Sequence, residues 1–256
     1  MMHVEVHAGA GPPLLLVHGI CSSRAQWRPN LAALAVVCTP VVVELLSHGR
    51  SEAPADPDEY RVEAYIERFE QIRRDLGADR WALCGQSFGA GLTLGYALAY
   101  PDRVACQVIT NSASALGPPR PAVAEAELAS RFDAFEARGR PALEAMAFYP
   151  KRTGRLAAEV EDELVRDAEL ISLPGMARSM MVTVPGLSVA PRFGEISTPT
   201  LLVNGAREKR FQPLRNQAAA EIRGLEVVDL EGGHPINLDR PVEFNAAVCA
   251  FLERHW

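Results

Sequence analysis

The sequence predicts an α/β fold in which helices flank a mostly parallel sheet of about seven strands. Short apolar runs rich in β-branched residues alternate along the chain with longer segments of helical periodicity. Continuous apolar runs of this length are typical of strands buried on both faces, as in a parallel sheet covered by helices. Strands and helices that alternate in this order indicate crossover connections between parallel strands. We predict strands at 4–6, 14–17, 41–43, 81–84, 104–109, 200–203 and 225–230.

Three helices of the predicted fold are recognisable from their sequence pattern. The first is predicted from Asp58 to Gly77, because apolar residues recur there every three or four positions. Gly77 is a typical residue just past a helix end. A second helix, 87–100, is rich in small and apolar residues, and a third begins near Pro241, since proline is favoured in a first helical turn.

The segment 116–193 departs from this alternation of strands and helices. It contains no strand-like run, begins with a proline-rich stretch and has the pattern of several short helices. We therefore predict a core domain formed by residues 1–115 and 194–256, with a helical cap of residues 116–193 inserted between two strands.

Composition and charge limit the partners that the protein can have. The formal net charge of −6 argues against a nucleic-acid or anionic-membrane partner. The sequence has neither a long apolar run nor a signal-peptide pattern, so we expect a cytoplasmic protein with no transmembrane helix. The five cysteines include no C-x-x-C spacing, so neither a disulfide framework nor a metal site is expected. We predict no cofactor, and the sequence does not determine the oligomeric state.

The residues Gly85-Gln86-Ser87-Phe88-Gly89 fit the pattern G-x-S-x-G. They follow a predicted strand and precede a predicted helix, which is the context that this motif requires. A strained serine backbone projects the hydroxyl from the sheet edge, and the small flanking residues let strand and helix approach closely. The helix N-terminus then lies beside the developing negative charge. Ser87 is the predicted nucleophile; the alternative is a glycine-rich turn whose serine only caps the helix.

A serine hydroxyl needs a base, and the base needs a carboxylate that orients it. His234 is the predicted base, because it is the one histidine away from the termini that lies downstream of Ser87. The chain order nucleophile, acid, base demands that position. Glu208, in the loop after the predicted strand 200–203, is the predicted acid. The alternative is a surface glutamate that pairs with one of the basic residues following it.

The reaction also needs hydrogen-bond donors for the oxyanion of its intermediate. Two backbone N–H groups are expected to supply them. One belongs to Phe88, directly after the nucleophile, and the other to Ile20, in the loop after the predicted strand 14–17.

Taken together, these segments resemble the α/β-hydrolase family from about His3 to the C-terminus, with 116–193 matching only as a variable cap. The resembling pieces are Leu14–Gly19 with Trp27, Ser47–Ser51, Gly85–Gly89, Leu201–Gly205, and Gly233-His234 before Asn237-Leu238. The resemblance implies Ser87 as nucleophile, His234 as base, and Ile20 and Phe88 as oxyanion donors.

The sequence departs from the family pattern at three places. The family usually carries aspartate at the position of Glu208. Its usual Asp-Leu-x-Gly-His-Gly is replaced by Glu44–Gly49, which reads Glu-Leu-Leu-Ser-His-Gly. The strand that usually opens the first hairpin is absent, so we expect seven strands rather than eight.

The cap is expected to cover Ser87 and to form the substrate pocket. Its methionine and aromatic side chains predict an apolar, adaptable cavity, although the same side chains are equally suited to packing the cap on the core. The predicted pocket residues are Cys21, Trp27, Phe148, Met176 and Met180.

These observations predict an enzyme that hydrolyses a carboxylic ester or lactone of a hydrophobic small molecule through an acyl-serine intermediate. Alternatives with the same nucleophile are hydrolysis of a carbon–carbon bond, a cofactor-free perhydrolase, and a thioesterase or cyclase of a biosynthetic pathway. An alternative of another class is a small-molecule receptor that retains a hydrolase pocket.

Overall fold

The computed structural model describes residues 1–120, 125–151, 154 and 156–256. Several positions of the predicted cap, 121–124, 152, 153 and 155, lie outside the described residues.

The described residues form one sheet of seven strands, as the sequence predicts. In sheet order the strands are β1, β3, β2, β4, β5, β6 and β7. All neighbouring pairs are parallel except β1 and β3, which are antiparallel. The strands are β1 (His3–Val6), β2 (Pro13–Val17), β3 (Thr39–Glu44), β4 (Trp81–Gly85), β5 (Val104–Thr110), β6 (Thr200–Gly205) and β7 (Glu226–Leu230).

The helices connect these strands and cover the sheet. Those outside the connection between β5 and β6 are α1 (Arg28–Leu34), α2 (Val62–Asp75), α3 (Phe88–Ala99), α10 (Gln212–Glu221), α11 (Ile236–Asp239) and α12 (Pro241–His255). Between β5 and β6 lie α4 (Ala113–Leu116), α5 (Glu125–Arg138), α6 (Arg140–Glu144), α7 (Ala158–Glu169), α8 (Leu173–Arg178) and α9 (Val184–Gly186). Short 3-10 turns occupy Arg24–Trp27, Pro57–Tyr60, Pro101–Arg103 and Ala190–Glu195, and a π turn occupies Ser179–Thr183.

Both faces of the central strands are buried, which explains their continuous apolar sequence. On β2, Leu15 and Val17 pack with side chains of α2 and α3, whereas Leu14 and Leu16 pack with side chains of α12. Burial of one such side chain contributes about 1.5–3 kcal/mol relative to leaving it exposed. The sheet is therefore the middle layer of three, and the loops that follow the six parallel strands, β2 to β7, lie at its carboxyl edge.

Helix α2 begins later than the sequence predicts. The predicted start was Asp58, but Pro57–Tyr60 form a 3-10 turn and the backbone at Arg61 is extended. The helix ends at Asp75, and Gly77 follows in the left-handed region with φ of 64°. The sequence therefore predicted the end of this helix better than its beginning.

In the described residues between β5 and β6, the regular elements are helices joined by turns and short loops, and none of these residues forms a strand. Its helix α7 is tied to the core by a network of charged side chains. Glu163 and Asp167 of α7 are buried, and they pair with Arg24 at 2.7 Å and with Arg50 at 3.2 Å, respectively. Asp167 also accepts a hydrogen bond from the hydroxyl of Ser23 at 2.8 Å. The boundaries at 116 and 193 stay a prediction.

Among the described helices, none combines the length and the apolar character needed to cross a lipid bilayer.

Candidate active site

Ser87 occupies a sharp turn between β4 and α3. Its backbone has φ of 52° and ψ of −108°, a conformation that side chains with a Cβ rarely adopt. A Cβ added at Gly85 would lie 2.5 Å from the carbonyl oxygen of Gly89, and one added at Gly89 would lie 2.3 Å from that of Val17. Any larger residue at either position would therefore force strand and helix apart, which is the steric reason for the small residues of the motif.

Ser87, His234 and Glu208 form a continuous chain of hydrogen bonds. The Nε2 atom of His234 lies 2.8 Å from the Oγ atom of Ser87. The Nδ1 atom of the same ring lies 2.9 Å from the Oε2 atom of Glu208. The three residues come from the loops after β4, β7 and β6, so the sheet brings together groups that are 121 and 26 positions apart in the sequence (208 − 87 and 234 − 208).

Glu208 faces the interior of the site rather than the basic residues beside it. Its ion pair within the described residues is with His234, whereas Lys209 donates to the carbonyl oxygen of Ala206. Burial alone would raise the pKa of the Glu208 carboxyl, but the hydrogen bond and charge of His234 and a hydrogen bond from Asn111 outweigh it and lower that pKa. The carboxyl therefore stays ionised, and the alternative of a surface pair with its basic neighbours is wrong.

Asn111, at the end of β5, is a site residue that the sequence reasoning missed. Its Nδ2 atom donates to Oε2 of Glu208 at 2.8 Å and to the carbonyl oxygen of Gly205 at 3.1 Å. Its Oδ1 atom accepts from the N–H of Gly205 at 2.9 Å. The signal in the sequence that could have identified it is an amide directly after a buried strand, whose side chain fixes the loop carrying Glu208.

Two glutamines, also missed from the sequence, hold the loops around Ser87. Gln26 accepts from the N–H of Gly19 at 3.2 Å, and Gln86 donates to the carbonyl oxygen of His234 at 3.3 Å. A Cβ at Gly19 would lie 2.1 Å from Oε1 of Gln86. A side chain at position 19 would therefore displace the amide of Gln86, which fills the space between the loop after β2 and the turn at Ser87.

The two predicted oxyanion donors, the N–H groups of Ile20 and Phe88, have no acceptor among the described residues. Phe88 is the first residue of α3, so its N–H has no partner within the helix. Ile20 lines the same cavity as Ser87. These free donors and the positive end of α3 make the site suited to an anionic oxygen.

A cavity of about 450 Å³ opens beside Ser87 and His234. The ring of Phe148 stacks on that of His234, with centroids 4.8 Å apart and planes inclined by 29°. Apolar and polar side chains share the rest of the lining. The apolar lining residues include Ile20, Ala147, Tyr149, Leu156, Leu164 and Leu238, and the polar ones include Ser22, Gln26, Gln86, Lys151, Glu161 and Asp239.

Four of the predicted pocket residues do not line this cavity. Trp27 is fully buried in the core, with its ring 6.4 Å from that of Phe244. Cys21 and Met176 are fully buried in an apolar cluster against which Met180 packs. Cys21, Met176 and Met180 pack between the helical segment and the loop after β2. Packing of that contact, rather than contact with a substrate, therefore explains why these residues are apolar.

The thiol of Cys21 is not suited to nucleophilic chemistry. Burial raises its pKa to about 12, so it stays protonated near neutral pH. Elsewhere in the described part of the chain, no group of three His, Cys, Asp or Glu side chains is arranged to hold a metal ion.

The site has the parts that acyl transfer requires. The ring of His234 can take the proton of Ser87, and the carboxylate of Glu208 can stabilise the resulting imidazolium. The cavity can hold a small carbonyl compound against the hydroxyl, with two N–H donors beside it.

The chain is similar in sequence to a known protein family and to individual proteins. A family model described as alpha/beta hydrolase fold matches residues 12–241. Lipase LipV of Mycobacterium tuberculosis is 28% identical over 265 residues, which cover 98% of this chain and 97% of that protein. An uncharacterized protein of the same organism is 34% identical over 97 residues, which are 38% of this chain but only 28% of that relative.

Solved structures agree with the family model. A hydrolase from Pseudomonas aeruginosa has a TM-score of 0.81 at 24% identity, covering 98% of this chain and 94% of that chain. An enol-lactonase from Burkholderia xenovorans has a TM-score of 0.75 at 22% identity, covering 98% and 96%, respectively. At these identities the two structures show the fold alone. With the family model matching most of its length, this chain belongs to the α/β-hydrolase family.

Proposed function

We propose that the protein hydrolyses a carboxylic ester or lactone of a hydrophobic small molecule through an acyl intermediate on Ser87. The observation that carries the proposal is the unbroken chain of hydrogen bonds from Ser87 through His234 to Glu208, at 2.8 and 2.9 Å. Its spacing is that of a nucleophile, a general base and an orienting acid.

In the first half of the reaction, Nε2 of His234 accepts the proton of Ser87 as Oγ attacks the carbonyl carbon. The carbonyl oxygen becomes an oxyanion, which accepts hydrogen bonds from the N–H groups of Ile20 and Phe88. The bond to the leaving oxygen then breaks, and His234 returns its proton to that oxygen. An alcohol leaves, or the lactone ring opens, and the acyl group stays on Ser87.

In the second half, a water molecule gives a proton to His234 and attacks the acyl carbon. The ester bond to Ser87 breaks, His234 returns the proton to Oγ, and the carboxylic acid leaves. Glu208 stays ionised throughout and holds the imidazole in the orientation that both steps need. The lowered pKa of the Glu208 carboxyl supports this role.

The cavity supports a small, largely apolar substrate. Its volume of about 450 Å³ lies within the range of small-molecule sites, and Phe148, Leu156, Leu164 and Leu238 supply apolar surface. The name of the relative LipV, a lipase, is consistent with ester chemistry. The helical segment 116–193 is proposed as the cap that encloses this substrate, and the proposed setting is the cytoplasm.

The test compares wild type with Ser87→Ala on aryl esters of graded chain length, lactones and thioesters. We expect wild type to hydrolyse an ester or a lactone and to show the mass of an acyl adduct on Ser87 when quenched early. The Ser87→Ala variant should lose at least about 10³-fold in kcat, because no other group carries the acyl chain. The matched control is Ser197→Ala, which changes an exposed serine that does not line the cavity and should keep its rate.

Equal activity of wild type and Ser87→Ala would refute the proposal. A wild type that binds small carbonyl compounds tightly without turning any of them over would refute it as well, in favour of a receptor. A clear preference for thioesters, with the acyl adduct still on Ser87, would refute the proposed substrate class and support Ser87 as the nucleophile.

A further inference from the structure

Two fully buried histidines join the loops that follow β2 and β3. His18 lies in the first loop, and its Nε2 atom accepts from the N–H of Leu45 in the second loop at 3.0 Å. His48 lies in the second loop, and its Nε2 atom accepts from the N–H of Cys21 in the first loop at 3.1 Å. The rings meet edge to face with centroids 5.0 Å apart. Each loop therefore donates a backbone N–H to a histidine of the other.

These contacts fix the protonation state of both rings. Each Nε2 atom faces a backbone N–H, so it carries no proton. Each Nδ1 atom faces a carbonyl oxygen, that of Gly19 at 2.7 Å from His18 and that of Leu46 at 2.9 Å from His48, so it must donate. Both histidines are thus neutral with the proton on Nδ1. Burial, together with the neighbouring His48, lowers the pKa of His18 to about 3, and burial lowers that of His48 to about 4, which agrees with this state.

The hydrogen bond from Cys21 to His48 acts on a strained part of the chain. Cys21 has φ of 59°, a left-handed conformation that costs free energy in a residue with a side chain. The residue before it is Ile20, whose N–H has no acceptor among the described residues and belongs to the loop lining the cavity. The hydrogen bond to His48 holds the peptide group between Ile20 and Cys21. The N–H of Ile20 lies in the adjacent peptide group, whose carbonyl oxygen, that of Gly19, lies 2.7 Å from Nδ1 of His18. Together the two contacts limit the direction of the Ile20 N–H.

We propose that His48 is a positioning residue for the oxyanion hole, because its Nε2 atom holds the N–H of Cys21 and thereby aims the N–H of Ile20 at the substrate oxygen. This inference rests on the proposed function, since it assigns the Ile20 N–H a role in the reaction. His48 is fully buried and does not line the cavity, so it acts through the loop and not on the substrate.

Two substitutions separate the two hydrogen bonds of His48. Asparagine has its amide near the position of Nδ1, so His48→Asn can still donate to Leu46 but cannot reach Cys21. Glutamine extends to the position of Nε2, so His48→Gln can still accept from Cys21. The matched control is His255→Asn, which changes a histidine that contacts Glu226 instead.

We expect His48→Asn to lower kcat while leaving KM nearly unchanged, and His48→Gln to leave both nearly unchanged. Complete loss of one oxyanion donor costs about 10²–10³-fold in kcat. A misdirected donor should cost part of that, so His48→Asn should lower kcat about 10- to 100-fold with KM within about threefold. His48→Gln should stay within about fivefold of wild type. A role in folding alone would instead lower the fraction of active enzyme, which active-site titration measures, and leave kcat per active site unchanged.

The structure of the loop is measured independently of turnover by NMR of the wild-type protein. We expect the nitrogen shifts of His48 to report a proton on Nδ1 and the amide of Cys21 to be protected from exchange. A proton on Nε2 would overturn the proposal, as would an unchanged kcat in His48→Asn. If His48→Asn does not fold, the test is made with His48→Gln alone. A kcat near that of wild type supports the proposal. A large decrease in kcat, with the Cys21 amide still protected from exchange, overturns it. A wild type without turnover would refute the proposed function, whereas the NMR result would still report whether the histidines join the loops.

Discussion

Replacing Glu208 by glutamine would remove one charge and leave the local hydrogen bonds in place. The Oε2 atom of Glu208 accepts from Nδ1 of His234 at 2.9 Å and from Nδ2 of Asn111 at 2.8 Å. Because two donors face this position, the amide of Glu208→Gln should place its carbonyl oxygen there and direct its NH₂ group away. The imidazole of His234 would then keep its orientation and its tautomer, and only the negative charge would be lost.

The size of the effect follows from the distance between the charges in the transition state. The imidazolium of His234 and the carboxylate of Glu208 would have charge centres about 4 Å apart, which gives about 4 kcal/mol at an effective dielectric constant of about 20. The side chain of Glu208 is 26% exposed, so a dielectric constant of this size is appropriate. Loss of this stabilisation raises the barrier by about 4 kcal/mol, which corresponds to about a 10³-fold decrease in kcat.

The assay is steady-state hydrolysis of the best aryl ester at pH 7.5, with active-site titration to count folded enzyme. KM should change little, because the carboxylate interacts with the charge that develops on His234 and not with bound substrate. The control is Glu231→Gln, which removes an exposed glutamate three positions before His234 and should leave kcat within about twofold. A kcat for Glu208→Gln within about threefold of wild type would refute the reasoning and point to another carboxylate.

Three further predictions concern other contacts. Asn111→Leu should lower kcat about 10- to 100-fold with KM nearly unchanged, because a hydrogen bond to the charged Glu208 contributes about 1.5–3 kcal/mol; a larger change in KM than in kcat would contradict this. Glu70→Gln should lower the free energy of unfolding in urea by about 3 kcal/mol at pH 7, because hydrogen bonds, above all from Arg73, lower the pKa of the buried Glu70 carboxyl from 4.5 to about 2. A carboxyl whose pKa is lower in the folded than in the unfolded protein stabilises the fold fully only at a pH above its unfolded-state pKa. The difference in unfolding free energy between wild type and Glu70→Gln should therefore shrink as the pH falls from about 5 to 2. A difference that stays constant with pH would refute this prediction. Asp167→Asn should lower the free energy of unfolding by about 1–2 kcal/mol and raise KM, because its buried carboxylate ties α7 to the core; an unchanged KM would show that α7 does not help to enclose the substrate.

The contacts of Glu208 give a physical reason why a glutamate can take the acid role that we propose for it, where the family usually has aspartate. The longer side chain must be held at one rotamer if it is to orient a base, and Asn111 supplies that restraint through the same oxygen that His234 uses. Asn111 is in turn fixed by two hydrogen bonds with Gly205. The acid therefore depends on the end of β5 as well as on its own loop.

The sequence by itself determined the sheet and the turn at Ser87, and it predicted the histidine, His234, that the structure places beside Ser87. These features depend on local rules: a buried strand is a short apolar run, and a sharp strand-to-helix turn needs small residues on both sides. The loop that carries His234 could be recognised by its place after the last strand. The start of α2 was misplaced because a 3-10 turn and a short helical segment have the same apolar spacing over a few residues.

Only the tertiary structure decided which polar groups support the site and which apolar side chains face the substrate. Asn111 contacts Glu208 from another strand end. His18 and His48 each accept a hydrogen bond from a backbone N–H of the other's loop, 27 positions away in the sequence. Four apolar residues that the sequence predicts at the pocket pack in buried clusters away from the cavity: Trp27, Cys21, Met176 and Met180. The physical reason is that sequence spacing determines which face of one strand or helix a side chain occupies, whereas the direction of a loop and the partner of a buried polar atom depend on how separate elements pack together.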